Sequence, residues 1–359
     1  MDKEIWVFLS HSHEDYEKVR KIRDLLEDIH MHPLMFFLKC LNDHDEIDSL
    51  IKREIDCRTR FILCDSENAK KSKWVKDEVE YIKSRDRICE IINIDLPIEV
   101  IKKKIKEFKR QATLFISYNR EYQELAEAIY KRLSKFDFQI FLDYKSLHNG
   151  DFSSQINKSL GDVTSNGFII ALMNDRILSQ TNWTHHEIKN ALAYDKVYGE
   201  NSVLPFVINE ELVNALAKDK ELFPLADYSI RTIKGSTLDE QCDMVVNQVL
   251  QQMLTPGTIL AHARNFEQGI DGINDVMEAQ KLFSLYFDLV DEATKKNNND
   301  AAWRALGRCY EMGWGTPINY EMALSCFRDT CCCSKDIERV ILKIRGLWDF
   351  QNDKPLTTL

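Results

Sequence analysis

One pattern occurs twice in this chain and constrains its fold more than any other feature. A short apolar segment leads into Ser10 and, later, a second one leads into Ser117. Trp-x-x-x-Glu follows each serine and ends at Glu78 in the first case and at Glu187 in the second. The serines are 107 positions apart and the glutamates 109. Two copies of one domain that differ by short insertions and deletions account for these shifts.

The tryptophan and the glutamate of each pattern have the spacing of one helical face. Trp74 and Trp183 each precede the glutamate by four positions, and side chains at that spacing lie side by side on a helix. A flat ring and a carboxylate can therefore contact the same ligand. The alternative is a structural role, since an early Glu favours the helix dipole and Trp commonly packs in a core. Occurrence in both copies favours a functional role.

Composition excludes several classes of protein. The length of 359 residues favours two or three domains, and 44% hydrophobic residues supply cores for a folded chain. No apolar run approaches the ~20 residues of a transmembrane helix, and the charged N-terminus lacks a secretory signal. The net charge of −10 argues against nucleic acid as the main partner. Ten cysteines without a disulfide framework indicate a reducing compartment, so we expect a cytoplasmic protein with neither a membrane nor a nucleic acid as partner.

The cysteines and histidines do not form a metal-binding motif. Residues 331–333 are three adjacent cysteines, whereas a tetrahedral ion needs spaced ligands. Two His-x-His pairs, at 11 and 13 and at 30 and 32, have no cysteine or carboxylate at ligand spacing. We therefore expect no bound metal.

The order of elements predicts an α/β fold in each copy. Apolar strands alternate with charged amphipathic helices, which is typical of a parallel sheet covered on both faces. The second copy has a candidate fifth strand that the first copy lacks. The expected strands are 5–9, 34–38, 59–64 and 88–94, then 113–117, 138–142, 167–172, 203–208 and 229–233.

Helical periodicity replaces the strand pattern from about residue 237 onward. Self-comparison shows matches at a fixed offset of 44 positions, which is the signature of a helical solenoid. We therefore expect an all-α helical-repeat domain. The matched pairs are Ala263 with Gly307, Phe266 with Tyr310, Gly269 with Gly313, Asp275 with Asn319, Ala279 with Ala323 and Phe283 with Phe327.

Both N-terminal copies resemble TIR domains. The motifs are the strand ending in Ser10-His11 or Ser117-Tyr118, the strand-to-loop segment 141–150, and the Trp-x-x-x-Glu segments 72–78 and 181–187. The resemblance implies a flavodoxin-like parallel sheet in each copy. The tail resembles Sel-like repeats, which are relatives of tetratricopeptide repeats, most clearly over 302–327. The expected domains are 1–108 (TIR-like, without the last strand), 109–236 (TIR) and 237–359 (Sel-like repeats).

The TIR resemblance implies two alternative functions. Many bacterial and plant members cleave the nicotinamide–ribose bond of NAD, and some recyclise the product into a signalling nucleotide. Animal adaptor members are catalytically silent scaffolds that assemble through their TIR domains. The cleaving members use a glutamate four residues after a tryptophan, the position of Glu78 and Glu187 here. In that case NAD is the substrate and no cofactor is needed. The expected substrate-binding residues are Trp183, Trp74, Ser117, Tyr118, Asp143, Ser10 and His11.

The chemistry favours the enzyme. The positively charged nicotinamide of NAD is a good leaving group, and its departure leaves an oxocarbenium-like ribose, as in glycoside hydrolysis. A nearby carboxylate stabilises that charge, and an indole can stack on a flat ring. The strand-end serines lie where open α/β sheets bind ligands.

The two copies are not equal. Asp143 follows the second strand of the second copy as in the common TIR pattern, whereas Lys39 aligns there in the first copy. We therefore favour Glu187 over Glu78, and a composite site between the copies is a further alternative. The tail suggests a module that binds a protein or peptide and regulates the enzyme, as in bacterial antiphage immunity. A purely stabilising tail is the other interpretation.

Overall fold

The computed structural model consists of two compact units, residues 1–253 and 254–359. The first unit contains both copies of the repeated domain, and the second is helical. The structure describes residues 4–36, 44–142, 167–179, 183–199, 201–297, 299–328, 330, 334–350 and 353–356.

The first copy is a parallel sheet with helices on both faces. Its strands are ordered β2-β1-β3-β4, and every neighbouring pair is parallel. The elements in chain order are β1 (Trp6–Ser10), α1 (Tyr16–Glu27), β2 (His32–Leu34), α2 (His44–Cys57), β3 (Arg60–Asp65), α3 (Glu67–Lys71), α4 (Lys73–Ser84), β4 (Cys89–Asn93) and α5 (Ile98–Arg110).

Side chains of alternating direction build one core on each face of this sheet. Val7 and Leu9 of β1 pack with α1 and α5 in one core. Phe8, between them in sequence, packs with Ile55 of α2 and Ile82 of α4 in the other. The period of two along a strand sends successive side chains to opposite faces, so a continuous apolar run is needed when both faces are covered.

The second strand lies earlier in the chain than the sequence pattern predicts. The expected strand is 34–38, whereas β2 is His32–Leu34. The backbone N–H of His32 donates to the carbonyl of Ile5 at 2.8 Å and fixes the start of the pairing with β1. The apolar run therefore begins where the strand ends, and its residues from 37 onward lie outside the described part of the chain.

The second copy repeats this architecture with one more strand. Its order is β6-β5-β7-β8-β9, again parallel throughout. The expected fifth strand is present, as a two-residue strand. The elements are β5 (Thr113–Tyr118), α6 (Gln123–Leu133), β6 (Gln139–Leu142), β7 (Phe168–Met173), α7 (Trp183–Tyr198), β8 (Val203–Val207), α8 (Glu210–Leu216), β9 (Arg231–Thr232) and α9 (Leu238–Met253).

Helix α9 packs on α6 and belongs to the first compact unit. The buried guanidinium of Arg132 donates to Asp243 at 2.7 Å and to Asn247 at 3.2 Å. In the first copy α5 packs on α1 in the same way. The structure therefore groups 238–253 with the second copy, whereas the sequence pattern groups these residues with the tail.

The two copies contact each other where their strands begin. Arg60, at the start of β3, donates to the carbonyl of Asp137 at 2.8 and 3.2 Å, and Thr59 donates to the Asp137 carboxylate. Burial of the guanidinium lowers the pKa of Arg60 to about 10. Since Asp137 lies two residues before β6, the amino edges of the two sheets meet here. The carboxyl edge of each sheet lies at its opposite side.

In its described residues, the second unit contains five α-helices and a small antiparallel strand pair. Consecutive helices pack on one another. In the segments that the structure describes, no helix is both long and apolar enough to span a bilayer. The elements are α10 (Pro256–Gln268), α11 (Val276–Asn297), α12 (Asp300–Met312), α13 (Tyr320–Arg328), α14 (Ser334–Ile344), β10 (Trp348–Asp349) and β11 (Lys354–Pro355).

The helix ends of this unit repeat at the offset of 44 found in the sequence. The side chain of Asp275 accepts from the amide of residue 278 at 3.0 Å, and that of Asn319 accepts from residue 322 at 3.0 Å. Gly269 and Gly313 end α10 and α12 with φ of 69° and 74°, the left-handed conformation that glycine adopts without steric cost. These two matched pairs, Asp275 with Asn319 and Gly269 with Gly313, are therefore equivalent in structure.

Two buried carboxylates connect the last helices of the tail. Glu311 of α12 is 2% exposed and accepts from Arg339 at 2.6 and 2.7 Å and from Lys343 at 2.8 Å. Asp336 of α14 is 1% exposed and accepts from Arg304 at 2.8 Å. Buried charges need such partners, so α14 is held against α12 by ion pairs as well as by apolar packing on α13.

Candidate active site at the carboxyl edge of each sheet

The end of β1 and the helix α4 bring a serine and a glutamate together in the first copy. The hydroxyl of Ser10, 1% exposed at the last position of the strand, donates to Oε2 of Glu78 at 2.5 Å. Ser72 caps the start of α4, since its hydroxyl accepts from the amide of Val75 at 3.4 Å. With this start, Glu78 falls on the helix turn that packs against the end of β1.

Burial makes Glu78 a weak acid. Loss of hydration raises the pKa of its carboxyl to about 7, and the hydrogen bond from Ser10 opposes this rise only in part. About half of the Glu78 side chains are therefore ionised at neutral pH. A carboxyl with a pKa near the working pH is typical of functional sites.

Trp74 lies one helical turn before Glu78, and both side chains line a narrow crevice between α2 and α4. The crevice holds about 10 Å³, enough for about one water molecule. Trp74 is 40% exposed and also lines a larger cleft of about 650 Å³, together with Lys52 and Tyr81. That cleft has the size of a small-molecule site, but neither Glu78 nor Ser10 lines it. Trp74 thus lines both the crevice that contains Glu78 and the open cleft.

Burial favours the neutral form of His11, next to Ser10. Burial lowers the pKa of its imidazole, and Nδ1 lies 2.9 Å from the carbonyl oxygen of Leu9. Since a carbonyl only accepts, Nδ1 carries the proton and Nε2 is the lone-pair nitrogen of the neutral ring.

The second copy repeats the pairing of serine and glutamate with the same geometry. The Ser117 hydroxyl, near the end of β5, donates to Oε2 of Glu187 on α7 at 2.5 Å. Ser117 is 7% exposed, and Glu187 is partly buried. The structure thus brings a serine and a glutamate into direct contact at the carboxyl edge of both sheets.

The remaining candidates of the second copy are placed only in part. Tyr118 follows Ser117 and is partly buried. Trp183 is the first residue of α7, but its side chain is outside what the structure describes. Asp143 lies entirely outside the described residues.

A second polar contact at each carboxyl edge was not found from the sequence. Asp15 is 4% exposed and accepts from Ser66 at 2.5 Å and from Asn68 at 2.8 Å. In the second copy Asn174 bonds to Asn119 at 2.7 Å and to Glu121 at 2.6 Å. Ser66 and Asn174 each directly follow the third strand. A polar residue directly after the third strand of both copies was the sequence signal that could have revealed these contacts. The bonds hold the loop after the first strand in place.

In the described segments, no group of three or more His, Cys, Asp and Glu side chains is arranged to hold a metal ion. The chemistry available at both edges is that of a partly buried carboxylate with one oxygen held by a hydroxyl. Such a group accepts hydrogen bonds and stabilises a neighbouring positive charge.

Comparison with known protein families agrees with the repeat. A family model described as TIR domain matches residues 7–107 and again residues 114–235. No curated protein matches this chain. No solved structure matches it either.

Proposed function

The chain belongs to the TIR domain family, and we propose that it cleaves the nicotinamide–ribose bond of NAD, with Glu187 as the principal catalytic carboxylate and Glu78 as the second. The products are nicotinamide and ADP-ribose or a cyclic isomer of ADP-ribose. The family includes enzymes of this kind as well as scaffolds without activity.

The observation that carries this proposal is the serine-held glutamate found in both copies. The Ser10–Glu78 and Ser117–Glu187 pairs have the same donor, the same acceptor atom and the same length of 2.5 Å. The copies differ elsewhere, since the first lacks the fifth strand and the segment before it. Burying a carboxylate costs free energy that an apolar side chain at the same position would not cost. Its presence at both edges supports a chemical role.

The reaction needs little from the protein beyond this group. The bond between C1′ of the ribose and the pyridinium nitrogen breaks, and its electron pair leaves with nicotinamide, which becomes neutral. The ionised glutamate stabilises the positive charge that develops at C1′. Water, or a nucleophilic atom of the same molecule, then adds at C1′, and its proton passes to solvent. The carboxylate must be ionised, so Glu78 with a pKa of about 7 is fully competent only above neutral pH.

The other candidates are assigned to substrate binding. The exposed ring of Trp74 can stack on nicotinamide or adenine, and we assign the same role to Trp183. Ser10 and Ser117 orient the glutamates, while His11, Tyr118 and Asp143 are assigned to the walls of the pocket.

We also propose a cellular setting. The enzyme acts in the cytoplasm in bacterial antiphage immunity, self-associates through its TIR domains, and is regulated by the C-terminal repeats, which bind a protein or peptide. The separate compactness of residues 254–359 supports a module with its own task.

Nicotinamide release tests the proposal. The full-length protein is incubated with NAD over a range of protein concentrations, and the products are separated by chromatography. Wild type is expected to release nicotinamide, and the double variant Glu78→Gln/Glu187→Gln is expected to release none. Glu99→Gln on α5 and Glu124→Gln on α6 are matched controls at exposed positions and should keep the wild-type rate.

The alternative is a catalytically silent scaffold. The first copy supports it to some extent, because its sheet has four described strands against five in the second copy. If wild type releases no nicotinamide at any concentration while it self-associates, the enzyme proposal is wrong and the scaffold remains.

A further inference from the structure

The two copies differ most in the segment after the fourth strand of each sheet. In the second copy, α8 and the turn at Phe223–Asp227 lie over β7, β8 and α7. Leu212 and Leu216 of α8 are 1% and 0% exposed and share one core with Ala171 and Ile188. This segment then leads into β9. The first copy passes from β4 into α5 within a few residues and has no counterpart of the segment.

The corresponding space in the first copy is an open groove. By strand pairing, Leu63 of β3 corresponds to Ala171, since they pair with Ser10 and Ser117 respectively. Leu63, Val75 and Val79 line a groove of about 500 Å³ between the sheet and α4. We call it the first-domain groove.

The open side of the first-domain groove is an apolar sheet edge. Ile91 of β4 pairs with Leu63 and is 54% exposed. β4 is the last strand of its sheet, whereas β8 of the second copy is covered by β9. Exposed apolar side chains next to a groove indicate a surface that a partner covers.

Charged side chains surround the apolar floor of the groove, which is formed by Leu63, Val75 and Val79. Lys70, Lys76 and Lys83 line the first-domain groove and are exposed. The carboxylates of Asp65 and Glu80 line it as well, so its rim carries a net positive charge. In the second copy the segment that fills this space begins with Glu210 and Glu211 in the first turn of α8. A helix with acidic residues at its start and leucines along one face would thus match both the floor and the rim.

We propose that the first-domain groove binds a short acidic amphipathic helix of a partner protein, in the place that α8 occupies in the second domain. The occupant is not α8 of another copy of this chain, because Leu212 and Leu216 are already buried in their own core. Apolar side chains of the partner cover Leu63, Val79 and Ile91, and its carboxylates face the lysines. This inference does not depend on the NAD chemistry.

A peptide copied from the second domain provides the probe. Residues 209–227 contain α8 and the following turn, with five carboxylates and two lysines. The fluorescently labelled peptide is titrated with the full-length protein and followed by anisotropy. We expect saturable binding that weakens about tenfold or more in Ile91→Glu and in Lys76→Glu/Lys83→Glu. Binding should also weaken between about 50 and about 300 mM salt.

Matched variants on the opposite face of the domain serve as controls. Val100→Glu and Lys106→Glu change exposed positions of α5 and should bind the peptide like wild type. All variants are chosen at exposed positions, and circular dichroism melting verifies that each is folded. Absence of saturable binding, or equal losses in the groove and control variants, would overturn the proposal. Sedimentation that shows a wild-type dimer dissociated by Ile91→Glu would overturn it in favour of a contact between two copies of the chain.

Discussion

Burial and a serine hydroxyl act on the acidity of Glu78 in opposite directions. Removal from water favours the neutral carboxyl, whereas the hydrogen bond from Ser10 favours the carboxylate. Burial is the larger effect, and the pKa rises from 4.5 to about 7. At a pH between 4.5 and about 7, Glu78 is protonated in the folded protein but ionised in the unfolded chain. The free energy of unfolding therefore falls as the pH rises through this window, and it levels off above it.

The variant Glu78→Gln should not show this fall in the free energy of unfolding, because an amide does not ionise. Relative to wild type, the variant should gain about 1–3 kcal/mol of stability on going from about pH 5 to about pH 8. Thermal melting of both proteins across that range measures the gain as a growing difference in midpoint. Glu99→Gln, at an exposed position, should melt in parallel with wild type at every pH. A constant difference between Glu78→Gln and wild type would show that the carboxyl titrates normally.

Ser117→Ala distinguishes a positioning role from substrate binding. If the hydroxyl holds the Glu187 carboxylate against the developing charge, its loss should lower kcat for nicotinamide release by about 10- to 100-fold with little change in KM. A rise in KM at constant kcat would instead show that Ser117 binds NAD. Ser134→Ala removes a hydroxyl at the end of α6 that donates to the Tyr130 carbonyl of the same helix, and it should change neither constant.

At the scale of single elements, the sheets could be predicted from sequence and the grouping of helices could not. The run 113–117 is expected and the strand is Thr113–Tyr118, because a strand buried on both faces is a continuous apolar run. Helix α9 has the same period as the tail helices, so its pattern does not tell which neighbour it packs on. The Arg132–Asp243 ion pair fixes α9 on α6. It joins residues 111 positions apart, so the sequence around either residue does not predict it.

The same limit applies to the candidate site. Strand ends placed the serines at the carboxyl edge of each sheet, and helix spacing placed each glutamate on one helix face with a tryptophan. The hydrogen bond between them depends on the angle at which α4 and α7 cross the sheets, which sequence spacing does not give. Likewise, residues of α2 line the same crevice as Glu78, and the pattern around Glu78 does not reveal this neighbour.

Gly307 tests the packing of the helical tail. In an exposed helix, replacing Gly by Ala stabilises by about 1 kcal/mol. Here a methyl group at Gly307 would lie 2.6 Å from the ring of Phe327 on α13, so Gly307→Ala should destabilise the unit by about 1–3 kcal/mol. Urea unfolding measures the change. In a double-mutant cycle, Gly307→Ala should cost less when Phe327→Leu makes room, and strict additivity would contradict this contact.

At the scale of the first unit, the contact between the copies separates the two candidate sites. Arg60 and Asp137 join the amino edges of the two sheets, and the glutamates lie at the carboxyl edges. A strand of five or six residues spans about 17–20 Å, so each glutamate is about a strand length from the contact. A composite site formed by both copies of one chain does not fit this arrangement.

Independent sites make a quantitative prediction about nicotinamide release. If each glutamate serves its own site, the residual rates of Glu78→Gln and Glu187→Gln should add up to the wild-type rate, with the larger share lost in Glu187→Gln. A composite site behaves differently, because removal of either carboxylate then abolishes most of the activity and the two losses are strongly non-additive.

Rates measured at about pH 8, where Glu78 is mostly ionised, give both sites their full contribution. Lowering the pH to about 6 should reduce the rate that remains in Glu187→Gln about fivefold or more, since that rate then depends on Glu78 alone.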